Sequence, residues 1–116
     1  RVHTITPGQK LADFSPSTWF PSGYSLVSNL SDKTITGILT TLVFSDGLGS
    51  FSLFLESGLE ISPMFIDAIY GSTIALGRDF RSGEKVLRAT LVGEIPIETG
   101  RSIIETLDIK GLMHFL

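Results

Sequence analysis

The sequence predicts an α+β domain, with an antiparallel sheet of about five or six strands and one C-terminal amphipathic helix packed on one face. Apolar residues alternate with polar ones in paired runs separated by short turns that contain glycine. The spacing becomes helical only after Pro96. Because strands and helices do not alternate regularly, a parallel doubly wound sheet is not expected. At 116 residues the chain is long enough for one domain with its own core.

The central prediction is a hairpin around Asp46 and Gly47. Thr34 to Ser45 is rich in strand-forming residues, and Phe51 to Glu56 alternates apolar with other side chains. Asp-Gly between two such runs is a hairpin signal, because glycine adopts the positive φ that a tight turn needs. We therefore assign Asp46 and Gly47 a structural role in the turn.

A shorter strand precedes this hairpin. Ser25 to Ser28 follows an aromatic turn that begins at Trp19, and Ser31 to Lys33 is predicted to turn the chain. Aromatic side chains bury large areas, so Trp19 is expected to cap the core rather than to bind a ligand.

A second hairpin is expected further along the chain. Ala68 to Arg78 is predicted as one strand and Val86 to Gly93 as its partner, joined by a charged turn from Arg78 to Lys85. Small residues on one face of the first strand would let another backbone come close. The preceding segment, Ser57 to Asp67, is predicted as a loop that contains at most one helical turn.

The helix is predicted to begin at Pro96, which suits a first turn, with Glu98 at its positive end. Its apolar face follows helical spacing and includes Gly100, which costs about 1 kcal/mol of helix propensity relative to alanine. We expect that cost to be offset by close packing on the sheet. The apolar face consists of Ile97, Gly100, Ile103, Ile104 and Leu107.

Residues 1–17 are predicted to be a linker or N-terminal arm, and residues 18–116 the domain itself. Arg1 is compatible with a mature start, a processed end or a domain boundary, of which the domain boundary is favoured. Leu112 to Leu116 forms an apolar tail whose role the pattern does not define.

Composition excludes several classes of function. The net charge of −3 gives no broad basic surface, so nucleic acid is not expected as a partner. The chain has no cysteine, and His3 and His114 lack further ligands at metal-binding spacing. No serine lies in a nucleophile elbow, and the carboxylates are dispersed. We therefore expect no enzyme activity, no metal and no cofactor.

Two regions are candidates for contact with a partner. The first is a basic patch on the second hairpin, which could bind an acidic peptide or lipid phosphates or, as the blander interpretation, form a solvated tip. The second is the apolar part of the preceding loop. The candidate residues are Arg78, Arg81, Lys85, Arg88, Met64 and Phe65, with Arg101 of the helix near the first group.

Three motifs in order resemble the C-terminal domain of the MucB/RseB family. They are Trp19-Phe20-Pro21-Ser22-Gly23-Tyr24-Ser25-Leu26-Val27-Ser28, then Phe44-Ser45-Asp46-Gly47-Leu48-Gly49-Ser50-Phe51-Ser52-Leu53-Phe54-Leu55, then Val92-Gly93-Glu94-Ile95-Pro96-Ile97-Glu98-Thr99. The resemblance covers residues 19 to about 108. Phe44 replaces a common tyrosine, Ile97 replaces the second proline of the usual pair, and Gly100 stands where alanine is frequent.

The resemblance implies a periplasmic regulator without catalytic activity. Such proteins bind the periplasmic part of a membrane anti-sigma factor and limit its proteolysis, and their release is linked to lipopolysaccharide or lipoprotein acyl chains. It also implies a preceding domain similar to a lipoprotein carrier. The alternatives are a module that senses or carries envelope lipid, and a structural domain that docks this N-terminal domain. Charge reversal at Arg78 and Arg81 is predicted to weaken partner binding.

Overall fold

The computed structural model describes residues 18–35, 37–57, 65–82 and 85–108. These residues form six strands and one helix in an α+β arrangement, as the sequence predicts. The elements are β1 (Ser25–Lys33), β2 (Ile38–Ser45), β3 (Ser50–Ser57), β4 (Phe65–Tyr70), β5 (Thr73–Ser82), β6 (Lys85–Gly93) and α1 (Ile97–Glu105).

The strands form a single antiparallel sheet in the order β1-β2-β3-β6-β5-β4. The sheet consists of a three-stranded meander, β1 to β3, and a second meander, β4 to β6, joined where β3 pairs with β6. β1 and β4 are therefore the two edge strands. The β2–β3 hairpin around Asp46 lies where the sequence predicts it, with Ser45 opposite Ser50.

The core lies between α1 and one face of the sheet. Alternate residues of each central strand are buried on this face, as period-two patterning requires, and directly opposed residues such as Leu53 and Leu91 share it. Burial of a side chain of this size contributes about 1.5–3 kcal/mol. The largest fully buried side chains are Leu26, Leu42, Phe44, Phe51, Leu53, Leu55, Leu76, Leu91, Ile103 and Ile104.

An aromatic cluster closes one end of the core. Phe44 and Phe51 lie opposite each other on β2 and β3 with ring centroids 5.0 Å apart, and Phe20 and Tyr24 pack on them at 5.5 and 5.3 Å. Trp19, in contrast, is 46% exposed. The prediction that Trp19 caps the core is therefore wrong, and Phe20 and Tyr24 pack against the core instead.

The helix packs on β5 and β6 through the predicted apolar face. Gly100 is buried there, and a Cβ at this position would lie 2.5 Å from Ile74 Cδ1 and 3.0 Å from Leu76 Cδ1. The close approach that we expected of this glycine is confirmed. The end of α1 is tied to the start of the described chain, since Trp19 N donates to Thr106 Oγ1 at 2.9 Å. No helix in the described part of the chain is long and apolar enough to cross a membrane.

The structure differs from the predicted elements at β1. Ser31 to Lys33 continue this strand, and the turn lies at the next residues, where Thr34 N donates to the Gly37 carbonyl at 2.7 Å. A polar end to β1 is tolerated because β1 is an edge strand with one side open to solvent.

A second difference concerns the segment predicted as one strand from Ala68 to Arg78. It contains the β4–β5 hairpin, whose turn is formed by Gly71 and Ser72. Gly71 has φ +63°, which matches the glycine at the first central position of a type II′ turn. In addition, Phe65 to Asp67 belong to β4 rather than to a loop.

Some predictions lie outside the described residues. They concern the linker at residues 1–17, residues 58–64 of the predicted loop, including Met64, and the tail at residues 112–116. The side chains of Phe65 and Lys85 also lie outside the description, although their backbones begin β4 and β6.

Candidate functional site

The Asp46 turn is held by its own side chains. Asp46 Oδ1 accepts hydrogen bonds from the N–H groups of Gly49 at 2.8 Å and Leu48 at 2.9 Å. Ser45 Oγ accepts from Gly47 N and donates to the Gly49 carbonyl, both at 3.0 Å. Gly47 has φ +92°, a conformation that L side chains rarely adopt. All of these contacts lie within the turn that joins β2 to β3.

The pKa values of two side chains at this turn, Asp46 and Tyr24, are shifted. The hydrogen bond from Gly49 N–H, followed by that from Leu48 N–H, lowers the pKa of Asp46 below its ordinary value. Partial burial, and then the nearby charge of Asp46, raise the pKa of Tyr24. The carboxylate is therefore stabilised in its charged form by the backbone that it organises.

The basic residues of the second hairpin do not share one face of the sheet. Arg78 is opposite Ala89 and lies on the α1 face, whereas Arg81 and Arg88 occupy register positions on the opposite face. Lys85 stands opposite Ser82, at a register position on the α1 face. The structure thus places these four candidates on two sides of the molecule.

Arg88 is engaged in a bidentate ion pair with Asp79 across β5 and β6. Its Nε lies 2.7 Å from Asp79 Oδ1 and its Nη2 lies 3.0 Å from Oδ2. Hydrogen bonding to Asp79, against a smaller opposing effect of burial, raises the pKa of the Arg88 guanidinium, and the charges of Asp79 and Glu56 act in the same direction. The ion pair between Arg88 and Asp79 therefore favours the observed register between β5 and β6.

Asp67 forms the centre of an ion-pair cluster on the α1 face. Its Oδ1 accepts from Arg78 Nη1 at 2.8 Å, and its Oδ2 accepts from Arg101 Nε at 3.1 Å. Arg101 also approaches Glu98 at 3.4 Å, and Arg78 Nη1 donates to the Ile66 carbonyl at 3.1 Å. One carboxylate therefore links the edge strand β4 to both β5 and α1. We call these four charged side chains the Asp67 clasp.

Two opposing influences act on the Asp67 carboxyl. Partial burial raises its pKa, but the hydrogen bonds and charges of Arg78 and Arg101 outweigh that effect and hold the pKa below its ordinary value. Asp67 is consequently ionised at neutral pH, as the clasp requires.

The sheet face opposite α1 has no described element packed against it. Small residues of β5, Ala75 and Gly77, are flanked there by Ala68 and Thr90, whereas Phe54 stands one strand further on. This is the small-residue face that the sequence predicts, and it permits close approach of another backbone.

An open groove with a volume of about 440 Å³ lies on the α1 side between the β4–β5 turn and the start of α1. Its apolar lining includes Ile69, Ile74 and Ile97, with Glu94 at its rim. Sequence reasoning missed both this groove and the edge strand beside it, because Gly71-Ser72 was taken as the interior of a strand. Gly-Ser between apolar runs is itself a two-residue hairpin signal that would have revealed them.

The described surfaces carry ion pairs, an apolar groove and an edge strand. Asp67 and Asp79 are committed to arginines, and no group of three or more His, Cys, Asp or Glu side chains in the described segments is arranged to hold a metal ion. The described part of the chain is thus an antiparallel sheet covered on one face, with an apolar groove and an edge strand to which a polypeptide could add.

The family follows from a comparison of the whole sequence. The family model described as the MucB/RseB C-terminal domain matches residues 9–108. The chain therefore belongs to the MucB/RseB C-terminal domain family, and the predicted resemblance is confirmed. No curated protein matches the sequence.

Solved structures with the same fold include three that contain MucB. A complex of MucA and MucB from Pseudomonas aeruginosa matches with a TM-score of 0.64 at 23% identity, covering 78% of this chain and 32% of that chain. MucB in complex with MucA(peri) gives 0.63 at 23% identity, with 78% and 34% covered, and MucB alone gives 0.53 at 21%, with 78% and 30% covered. This chain thus corresponds to about a third of the length of each solved chain.

Proposed function

We propose that this domain is the non-catalytic binding part of a periplasmic regulator, which holds the periplasmic part of a membrane anti-sigma factor and limits its proteolysis. The observation that carries the proposal is the family match over residues 9–108. Similar folds solved as complexes of MucB with MucA and with MucA(peri) support it. The same observations support a periplasmic location and a place in envelope-stress signalling.

The surfaces of the domain are consistent with protein binding rather than catalysis. The apolar groove and the edge strand β4 offer backbone and side-chain contacts for a polypeptide. Arg81 is exposed on the opposite face and remains our candidate for a charged contact. Arg78 and Arg88 have structural partners, so we assign them smaller roles in binding.

Lipopolysaccharide or lipoprotein acyl chains are a second class of ligand for the whole protein. An acyl chain held by this domain would need space between the sheet and α1, but α1 approaches β5 closely at Gly100. We therefore place lipid binding outside this interface, and propose that a further domain of the protein supplies it and docks on this one.

The proposal is tested with the whole protein that contains this chain and the purified periplasmic segment of the anti-sigma factor from the same organism. Calorimetry is expected to show a specific complex, and the protease that cleaves the segment is expected to act more slowly on the bound segment than on the free segment. A periplasmic segment of an unrelated membrane protein is the matched control. The proposal is contradicted if no complex forms and the protease cleaves the segment equally fast with and without the protein.

A further inference from the structure

The two edges of the sheet are protected to different degrees. β1 carries Asp32 and Lys33 and has a register shift between Leu26 and Ser28. Charged side chains and bulges are the usual means by which an edge strand is kept from pairing with another chain. These features therefore disfavour pairing of β1 with a strand of another chain.

The β4 edge lacks these devices. Ile66, Ile69 and Tyr70 are 38%, 61% and 70% exposed, and the one charged residue of the strand, Asp67, is neutralised by Arg78 and Arg101. β4 pairs with β5 on its inner side, and no described strand pairs with its outer side. The outward N–H and C=O groups of an edge strand form a template to which another strand can add.

This edge is also held in an extended conformation before any partner arrives. All six residues of β4 pair with β5 in a regular register that ends at the Gly71 turn. The Asp67 clasp fixes the strand from the α1 side. A preformed strand lowers the ordering cost of association, since most of that cost then falls on the incoming segment.

The apolar groove adjoins the same edge. Ile69 is an exposed residue on the α1 side of β4 and also lines the groove, and Ile74 lies opposite it on β5. A strand added to β4 would direct alternate side chains toward the α1 side, next to Ile69. A backbone template beside an apolar groove is the combination by which strand addition obtains affinity and specificity.

We propose that the β4 edge is the docking site for an extended segment of the partner polypeptide, which adds to the sheet as a seventh strand and places one apolar side chain in the groove beside Ile69. This inference rests on the proposed function, because the segment is taken from the periplasmic part of the anti-sigma factor. The segment is recognised by its chemistry: about five residues able to extend, without proline, and apolar at alternate positions.

The test compares two lysine substitutions on opposite edges of the sheet. Ile69→Lys introduces a charge at the β4 edge, and Leu30→Lys introduces the same charge on β1 at a residue of matching exposure, 60% against 61%. Ile69→Lys is expected to weaken binding of the anti-sigma segment by about tenfold or more, because an ammonium group is costly to bury in an apolar groove. Leu30→Lys is expected to leave binding unchanged, and both thermal midpoints should stay near that of the parent protein.

Hydrogen exchange gives a direct readout of strand addition. In the complex, the outward amides of β4 should exchange at least about tenfold more slowly, whereas those of β1 should not change. A complex that forms without protection of β4, or that is weakened equally by both lysines, overturns this inference alone. If Ile69→Lys abolishes self-association but leaves binding of the anti-sigma segment unchanged, the β4 edge binds a second copy of this chain, and this inference is again overturned. The absence of any complex contradicts the proposed function as well.

Discussion

At Gly93 two neighbouring strands come too close for a side chain. A Cβ at this position would lie 2.6 Å from Phe51 Cβ and 2.8 Å from both Phe51 Cα and the Ser50 carbonyl oxygen. Gly93 belongs to the Val-Gly-Glu motif that supported the family resemblance. The structure thus supplies a physical reason for one glycine of that motif, namely the approach of β6 to β3 at the aromatic end of the core.

Gly93→Ala is expected to be more destabilising than Gly100→Ala. At Gly93 the obstructing atoms include backbone, which cannot move without distorting the sheet, and we expect a loss of about 1–3 kcal/mol. At Gly100 the contacts are the flexible ends of Ile74 and Leu76, and the helix gains about 1 kcal/mol of propensity. Chemical denaturation of the two variants measures the difference. Equal losses of stability in the two variants, or a larger loss for Gly100→Ala, would contradict this explanation of the two glycines.

Individual residues were predictable where their role is local. Asp-Gly specifies its own turn, and the hydrogen bonds to Asp46 Oδ1 are made within three residues. The roles of Arg78 and Asp67 could not be assigned in this way, since they lie eleven residues apart and meet only after β4 and β5 pair.

β4 is held in place both by pairing with β5 and by the Asp67 clasp. It is short, lies at an edge, and is joined to α1 through the Asp67 clasp. Short edge strands gain little from backbone pairing alone. The clasp therefore contributes to keeping this strand in place.

Asp67→Asn is expected to lower stability by about 1 kcal/mol near neutral pH, because the two arginines lose their shared charge partner. The folded-state pKa of Asp67 is lowered, so its stabilising effect is present above the unfolded value of about 3.9 and is lost as pH falls through the folded value. The difference between parent and variant should consequently shrink in acid. Denaturation at about pH 6 and about pH 3 measures it.

Asp32→Asn on the β1 edge is the matched control for this experiment. It removes an exposed carboxylate at the opposite side of the sheet and should leave stability nearly unchanged at both pH values. A variant at Asp67 that differs from the parent equally at both pH values would show that charge is not the source of its effect.

At the scale of the whole molecule, the two sheet faces and the two edges differ in what they can bind. The α1 face carries the core and the Asp67 clasp, whereas the opposite face presents small residues and the exposed Arg81. The predicted basic patch is thus divided between surfaces that a single small partner would not contact together.

Charge reversal separates the candidates of this patch. Arg81→Glu is expected to weaken binding of the anti-sigma segment by about fivefold, mainly by slowing association, and to leave folding intact. Arg78→Glu is expected to lower the thermal midpoint, because a carboxylate would face Asp67 in place of the guanidinium. Surface plasmon resonance and thermal denaturation distinguish the two effects. Unchanged affinity for Arg81→Glu would remove it as a contact residue.

Local patterning was sufficient for the α+β class, the central hairpin and the helix, because alternation, helical spacing and turn chemistry act over a few residues. The family was predicted separately, from the resemblance of three ordered motifs. Local patterning did not predict β4 as a separate strand, because the two-residue turn at Gly71 and Ser72 lies within an apolar run and was taken as part of one strand. The tertiary structure alone decided that Asp67, Arg78 and Arg101 meet, that the arginines divide between two faces, and that β4 lies at one edge of the described sheet. These features depend on strand order and register, which join residues far apart in the chain.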